Sequence, residues 1–235
     1  MIADAHATLV DLIAARAPRL VGVAGPVAVG KSTIVQALGE RLAARGRSVR
    51  VLTTDAFLLP NAVLNARALL MRKGFPESYD AAAMDTVLAQ LRAGAAADVP
   101  VYSHDVYDIV AGAHEAIAPA DVVLLEGIVA LQAPAADHLD MALYVDADEA
   151  SVRRWFGERF ARLTAAAIDD TASFYHPFAA MPAAQLAQLA NATWDGINAP
   201  NLHRHIAPSA ARADVIVRKA DDHSIAELQM VSPKR

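Results

Sequence analysis

The chain has no cysteine. That excludes disulfides, thiolate metal sites and cysteine nucleophiles, and it suits a cytoplasmic protein. Charge is also sparse: Asp, Glu, Lys and Arg make up 20% of 235 residues, below the common globular value of about 25%. The net charge is −5, so nothing in the overall balance draws the chain to nucleic acid. No apolar run approaches the roughly 18 residues of a membrane-spanning helix. Asp4, with no basic stretch ahead of an apolar core, argues against a secretory signal. Low-complexity linkers and repeats are missing too, so a single domain is expected over residues 1–235. What is abundant is alanine: it accounts for much of the 55% apolar content and points to a helix-rich, well-packed α/β domain.

The most informative stretch is Arg19 to Thr33, RLVGVAGPVAVGKST. Leu20, Val21 and Val23 read as a buried strand, and Gly25, Gly30, Lys31 and Ser32 fit G-x-x-x-x-G-K-[ST] ahead of a helix-compatible run. By chance the pattern arises in a chain this long at roughly the one-per-cent level, before its flanks are considered. Backbone N–H groups around such a loop, over Gly25, Val27, Ala28, Val29, Gly30 and on to Thr33, can each donate to a phosphate oxygen. Lys31 would neutralise charge near the transferred group and the Ser32 hydroxyl would hold Mg2+. ATP and Mg2+ are the expected cofactors, on a three-layer P-loop fold with a mainly parallel central sheet and helices on both faces.

Ahead of this loop, the spacing of Leu9, Leu12 and Ile13 predicts an amphipathic helix from Asp4 to Arg19. Behind it, a strand over Ser48–Thr53 runs into Asp55, a carboxylate suited to taking a proton from a substrate hydroxyl. Residues 57–80 lack periodicity and read as an active-site flap, whose Arg72 and Lys73 could meet phosphate, although a basic pair is more often a solvated face. An extended segment at 99–110, within an insertion reaching 115, gathers Tyr102, His104 and Tyr107; period two puts Tyr102 and His104 on one face. The run DVVLL at 121–125 reads as a central strand ending in Glu126, a second acid placed for the Mg2+ shell. A helix around 148–165 carries Arg159 and Arg162 on one face, suited to closing over phosphates as a lid. Ala183–Ile197 is expected to be helical, with Asn198 just past its end, and 214–217 and 225–231 to be closing strands.

The motifs GPVAVGKST (25–33), TTDAF (53–57), KGFPESYD (73–80), VYSHDVYD (101–108) and LLEG (124–127) stand in an order that resembles bacterial type I pantothenate kinases, within the phosphoribulokinase/uridine kinase group. The resemblance implies that Asp55 activates the acceptor hydroxyl, that Lys31 and Arg159 stabilise the transferring phosphoryl, and that Ser32 and Glu126 serve Mg2+. It implies pantothenate, or a related small alcohol, bound by Tyr102, His104, Tyr107 and Asn198, with Phe156, Phe160, Phe174 and Tyr175 near the aromatic wall. A homodimer inhibited by coenzyme A is implied as well, without nucleic-acid or membrane partners. Gln36, where better-known members carry an arginine, departs from the pattern. So do Phe156, for tyrosine, and Leu163 and Ile168, for aromatics, which makes the wall more aliphatic. The competing expectations are a kinase for a nucleoside or sugar, and a nucleotide-dependent regulatory protein.

Overall fold

Leu20–Ala24 forms β1, and all five of its residues are buried, as for a strand covered on both faces. The computed structural model describes residues 4–231. In chain order its main elements are α1 (Ala5–Arg16), β1, α2 (Lys31–Ala44), β2 (Val49–Thr53), α3 (Asn61–Ala66), α4 (Ala81–Arg92), β3 (Ala97–Ser103), β4 (Asp108–Ile117), β5 (Val122–Glu126), α5 (Ala135–His138), β6 (Met141–Asp146), α6 (Glu149–Ala166), α7 (Ala183–Thr193), β7 (Val215–Lys219) and β8 (Ile225–Met230). The sheet runs β2-β5-β1-β6-β7-β8, parallel throughout except for β8, which pairs antiparallel with β7. Helices cover both faces, and β3 and β4 form a separate antiparallel hairpin.

Several boundaries differ from the sequence expectation for identifiable reasons. Asp4 caps α1 by accepting from the Ala7 N–H at 3.0 Å. The helix stops at Arg16, three residues before Arg19, because Ala17 turns left-handed ahead of Pro18. The hairpin strand ends at Ser103, so His104 lies in the turn and does not share a strand face with Tyr102. Their rings still meet edge to face, with centroids 5.1 Å apart. Within the flap, α3 and short 3-10 turns replace the irregular chain expected. The largest difference follows α7. The helical path does not end near Ile197 but continues to Arg212, through wide turns at Trp194–Asn198 and Leu202–Ile206. Pro200 and Pro208 sit in the first turns of the short helical pieces between, where a missing N–H costs least. Asn198 is therefore inside a wide turn rather than beyond a helix end.

This topology brings the chemistry to one edge. Glu126, at the end of β5, stands in register with Thr53 of β2 on one side and Val23 of β1 on the other. The segments leaving β1, β2 and β5 thus emerge side by side at the carboxyl ends of parallel strands, beside the point where the sheet order reverses.

Candidate functional site

Gly25 opens the loop after β1 with φ 149°, and a Cβ there would stand 2.2 Å from the Val145 carbonyl oxygen. Only glycine fits. The loop delivers the chain to the start of α2 at Lys31, whose first-turn N–H groups have no intrahelical partner and face an anion well. Lys31 Nζ donates to the carbonyls of Gly25 at 3.0 Å and Pro26 at 2.8 Å. Burial pulls its pKa down to about 8, with Glu126 and Asp55 acting in the opposite direction. Of the loop residues expected to meet phosphate, Val27, Ala28, Lys31 and Ser32 line the cleft, joined by Pro26. Gly25, Val29, Gly30 and Thr33 do not line it: Val29 is buried beneath the loop and Thr33 is exposed on α2. A second cation, Lys219 at the end of β7, lies against the loop, so close that a Cβ on Gly30 would come within 2.6 Å of its Nζ.

Ser32 Oγ donates to Glu126 Oε2 at 2.9 Å. A hydroxyl and a carboxylate oxygen held together are the hard donors that Mg2+ takes from protein, with phosphates and water completing its shell. Among the described residues there is no cluster of three or more His, Asp or Glu side chains that would hold a metal without such partners. Asp55 lies in a 3-10 turn directly after β2, its N–H donating to Thr53 Oγ1 at 3.3 Å. Burial raises its pKa, an effect offset in part by His104, Lys31, Lys73 and Arg159. Gly127 lets the chain pass close to Thr54: at φ 153° an added Cβ would lie 1.7 Å from Thr54 Oγ1.

The cleft that the loop borders encloses a volume of about 220 Å3. Asp55, Tyr102, His104, Tyr107, Phe156, Arg159, Phe160, Tyr175 and Asn198 all line it. Of the α6 arginines only Arg159 does so: Arg153 is paired with Asp195, Arg154 with Asp221, and Arg162 is exposed away from the lining. Leu163 belongs to the wall, whereas Ile168 is half exposed and outside it. Phe174, expected near the wall, does not line the cleft; it is exposed and its ring stacks on Tyr107, centroids 4.5 Å apart. Asn198 Nδ2 is buried with no hydrogen-bond partner, a donor available to a ligand. The sequence reading left out Lys73, which turns inward to line the cleft and whose pKa burial lowers to about 8. Trp194 is not among the expected site residues either, yet it lines the cavity beside Phe156.

The family model described as "Phosphoribulokinase / Uridine kinase family" matches residues 20–155, from β1 into α6. The chain belongs to this family. Within the phosphoribulokinase/uridine kinase family, a pantothenate kinase of Sorangium cellulosum is 47% identical over 220 residues, covering 89% of this chain and 71% of the relative. A pantothenate kinase of Myxococcus xanthus is 43% identical over 230 residues, covering 92% and 72%. Among solved structures, a D-glycerate 3-kinase from Cryptococcus neoformans superposes with a TM-score of 0.69 over 96% of this chain and 99% of its own, at 13% identity, a likeness of fold. Family membership supports the use of a nucleotide cofactor. No helix among the described residues is long and apolar enough to cross a membrane.

Proposed function

We propose that this protein transfers the γ-phosphoryl group of ATP to the primary hydroxyl of pantothenate, giving 4'-phosphopantothenate, the first step of coenzyme A biosynthesis. The observation that carries the reading is the sharing of one cleft by Asp55, the Lys31 loop and the Tyr102–His104–Tyr107 set, in a chain whose relatives are pantothenate kinases. A hydrolase or switch has no need of an aromatic and histidine pocket beside its carboxylate.

In this mechanism Asp55 orients the acceptor hydroxyl and takes its proton as the oxygen attacks phosphorus in line. Its raised pKa makes it a stronger base than an ordinary carboxylate. Lys31 and Arg159, with the N–H groups of the loop, stabilise the charge spread over the transferring group. Ser32 and Glu126 would hold Mg2+, which supplies neutralisation of phosphate charge when bound. Tyr102, His104, Tyr107 and the unpartnered Asn198 amide read the acceptor's polar groups, against a wall of Phe156, Phe160 and Tyr175. The 57–80 flap, the hairpin insertion around 99–115 and the lid helix around 148–165 exclude water on closing. A homodimer, inhibition by coenzyme A and a cytoplasmic location complete the reading.

Phe156 and Leu163 in the wall, where relatives of the resembled family carry tyrosine and an aromatic, support one alternative, another small alcohol such as a nucleoside or sugar as acceptor. Incubation with Mg-ATP and each alcohol, followed by mass detection of the phosphorylated product, separates the two; a product from another alcohol and none from pantothenate would overturn the proposal.

A further inference from the structure

Lys73 belongs to the flap, yet its ammonium reaches across to the hairpin. Nζ donates to the Tyr107 carbonyl at 2.5 Å and to Asn61 Oδ1 at 2.8 Å. Asn61 Nδ2 donates to the same carbonyl at 3.0 Å, and the Asn61 N–H to Asp108 Oδ1 at 2.9 Å. The same Nζ lies 4.3 Å from the centroid of the Tyr107 ring and 5.1 Å from that of Tyr102. Tyr107 needs such a hold. Its φ of 54° is left-handed, a conformation unfavourable for a non-glycine residue. Its ring stacks on Phe174, whose N–H donates to the Asp105 carbonyl at 2.7 Å. One line of contacts therefore runs from the flap through the hairpin tip to the segment after α6.

We propose that Lys73 is a positioning residue: its ammonium clamps the Tyr107 carbonyl and fixes the hairpin tip, so that Tyr102 and Tyr107, the latter stacked on Phe174, are held in the lining of the acceptor pocket. The proposal rests on reading this cleft as the acceptor site. The clamp depends on charge, because an ammonium is the stronger donor and the only form that draws a ring face. The groups acting on Lys73 are Asp108 of β4 and Asp55 after β2, which favour the charged form, while burial disfavours it more and brings the pKa to about 8. Tyr102 and Tyr107 stay neutral through that range, Tyr107 being pushed up to about 12 by burial. The clamp is complete below pH 8 and loosens as pH rises through that value.

The test is Lys73→Met, which keeps a long apolar stem without the charge, compared with the native chain from about pH 6.5 to about 9.5. Near neutrality the variant raises the KM for pantothenate about tenfold and leaves kcat within about threefold. In the native chain KM climbs towards the variant's value above pH 8, and in the variant it stays flat. Lys31 titrates in the same range, but its effect falls on the nucleotide and persists in the variant. An unchanged KM, a loss confined to kcat, or a pH-dependent KM persisting in Lys73→Met overturns the clamp. Should that variant not fold, Asn61→Ala removes the second hold on the carbonyl and predicts a smaller KM rise of the same sign; no rise overturns the clamp. If the native chain does not turn over pantothenate, the substrate reading fails while the clamp remains testable: hydrogen exchange over residues 104–110 is faster in Lys73→Met at neutral pH, and equal exchange overturns it.

Discussion

Ser32 and Glu126, 94 residues apart in the chain, meet side chain to side chain at 2.9 Å. The parallel register of β1 and β5 brings them together, since Glu126 pairs with Val23 just ahead of the loop. Glu126→Gln keeps the shape and loses the charge. Turnover should fall about 10- to 100-fold, with more Mg2+ needed for half-maximal rate. A Mg2+ titration of ADP formation measures this; an unchanged Mg2+ requirement would remove Glu126 from the metal site.

Asp55→Asn should lower kcat about 10^2- to 10^4-fold while leaving nucleotide affinity near native, because the proposed mechanism gives the carboxylate to the acceptor hydroxyl and not to the phosphates. Single-turnover assays and nucleotide titration separate the two quantities. A parallel loss of nucleotide binding would mean that the carboxylate serves the phosphates.

The pH profile has a definite shape. Asp55 must be ionised, and burial raises its pKa, so the acid limb should lie above the range of an exposed carboxylate. Lys31 must be charged, and it loses its proton near pH 8 in the free protein, so kcat/KM for ATP should decline above that point. Bound phosphates favour the charged lysine, which moves the decline in kcat to higher pH. A kcat/KM flat to about pH 10 would contradict the buried Lys31.

Gly127→Ala should destabilise the fold by about 2 kcal/mol or more, because its Cβ meets the buried Thr54 side chain. Gly112→Ala, also at positive φ but facing open space, should cost only about 1 kcal/mol. Denaturant melts of the pair measure the difference; equal losses would mean that strain alone decides both.

Asn198→Ala should raise the KM for pantothenate about tenfold and change kcat little. The rise should shrink for pantothenyl alcohol, which lacks the carboxylate that the unpartnered amide would meet. A rise of equal size for both acceptors would put Asn198 against another part of the ligand.

The phosphate loop, Asp55 and Glu126 were legible in the sequence because each lies at or just past the end of a readable strand, and strand ends in a parallel sheet share one edge. The path from Trp194 to Arg212 was not, since Pro200 and Pro208 imitate helix ends and only the wide turns between them keep the helix going. Lys73 was hidden for a different reason. A basic pair in an aperiodic stretch gives no sign of which member turns inward: Arg72 lies over Phe75 and pairs with Glu77, whereas Lys73 is drawn to the carbonyl of a residue 34 positions away. Ile168 misled in the opposite sense: the family resemblance implied a wall position, but the residue lies past the end of α6 and is half exposed.

The most direct test is acceptor-dependent ADP formation from Mg-ATP, with pantothenate, uridine and several sugars compared side by side in the native chain and in Asp55→Ala. The account predicts strong turnover with pantothenate that vanishes in the variant. Turnover with uridine or a sugar and none with pantothenate would contradict it, leaving a phosphotransferase of this family whose Phe156- and Leu163-lined pocket takes another alcohol.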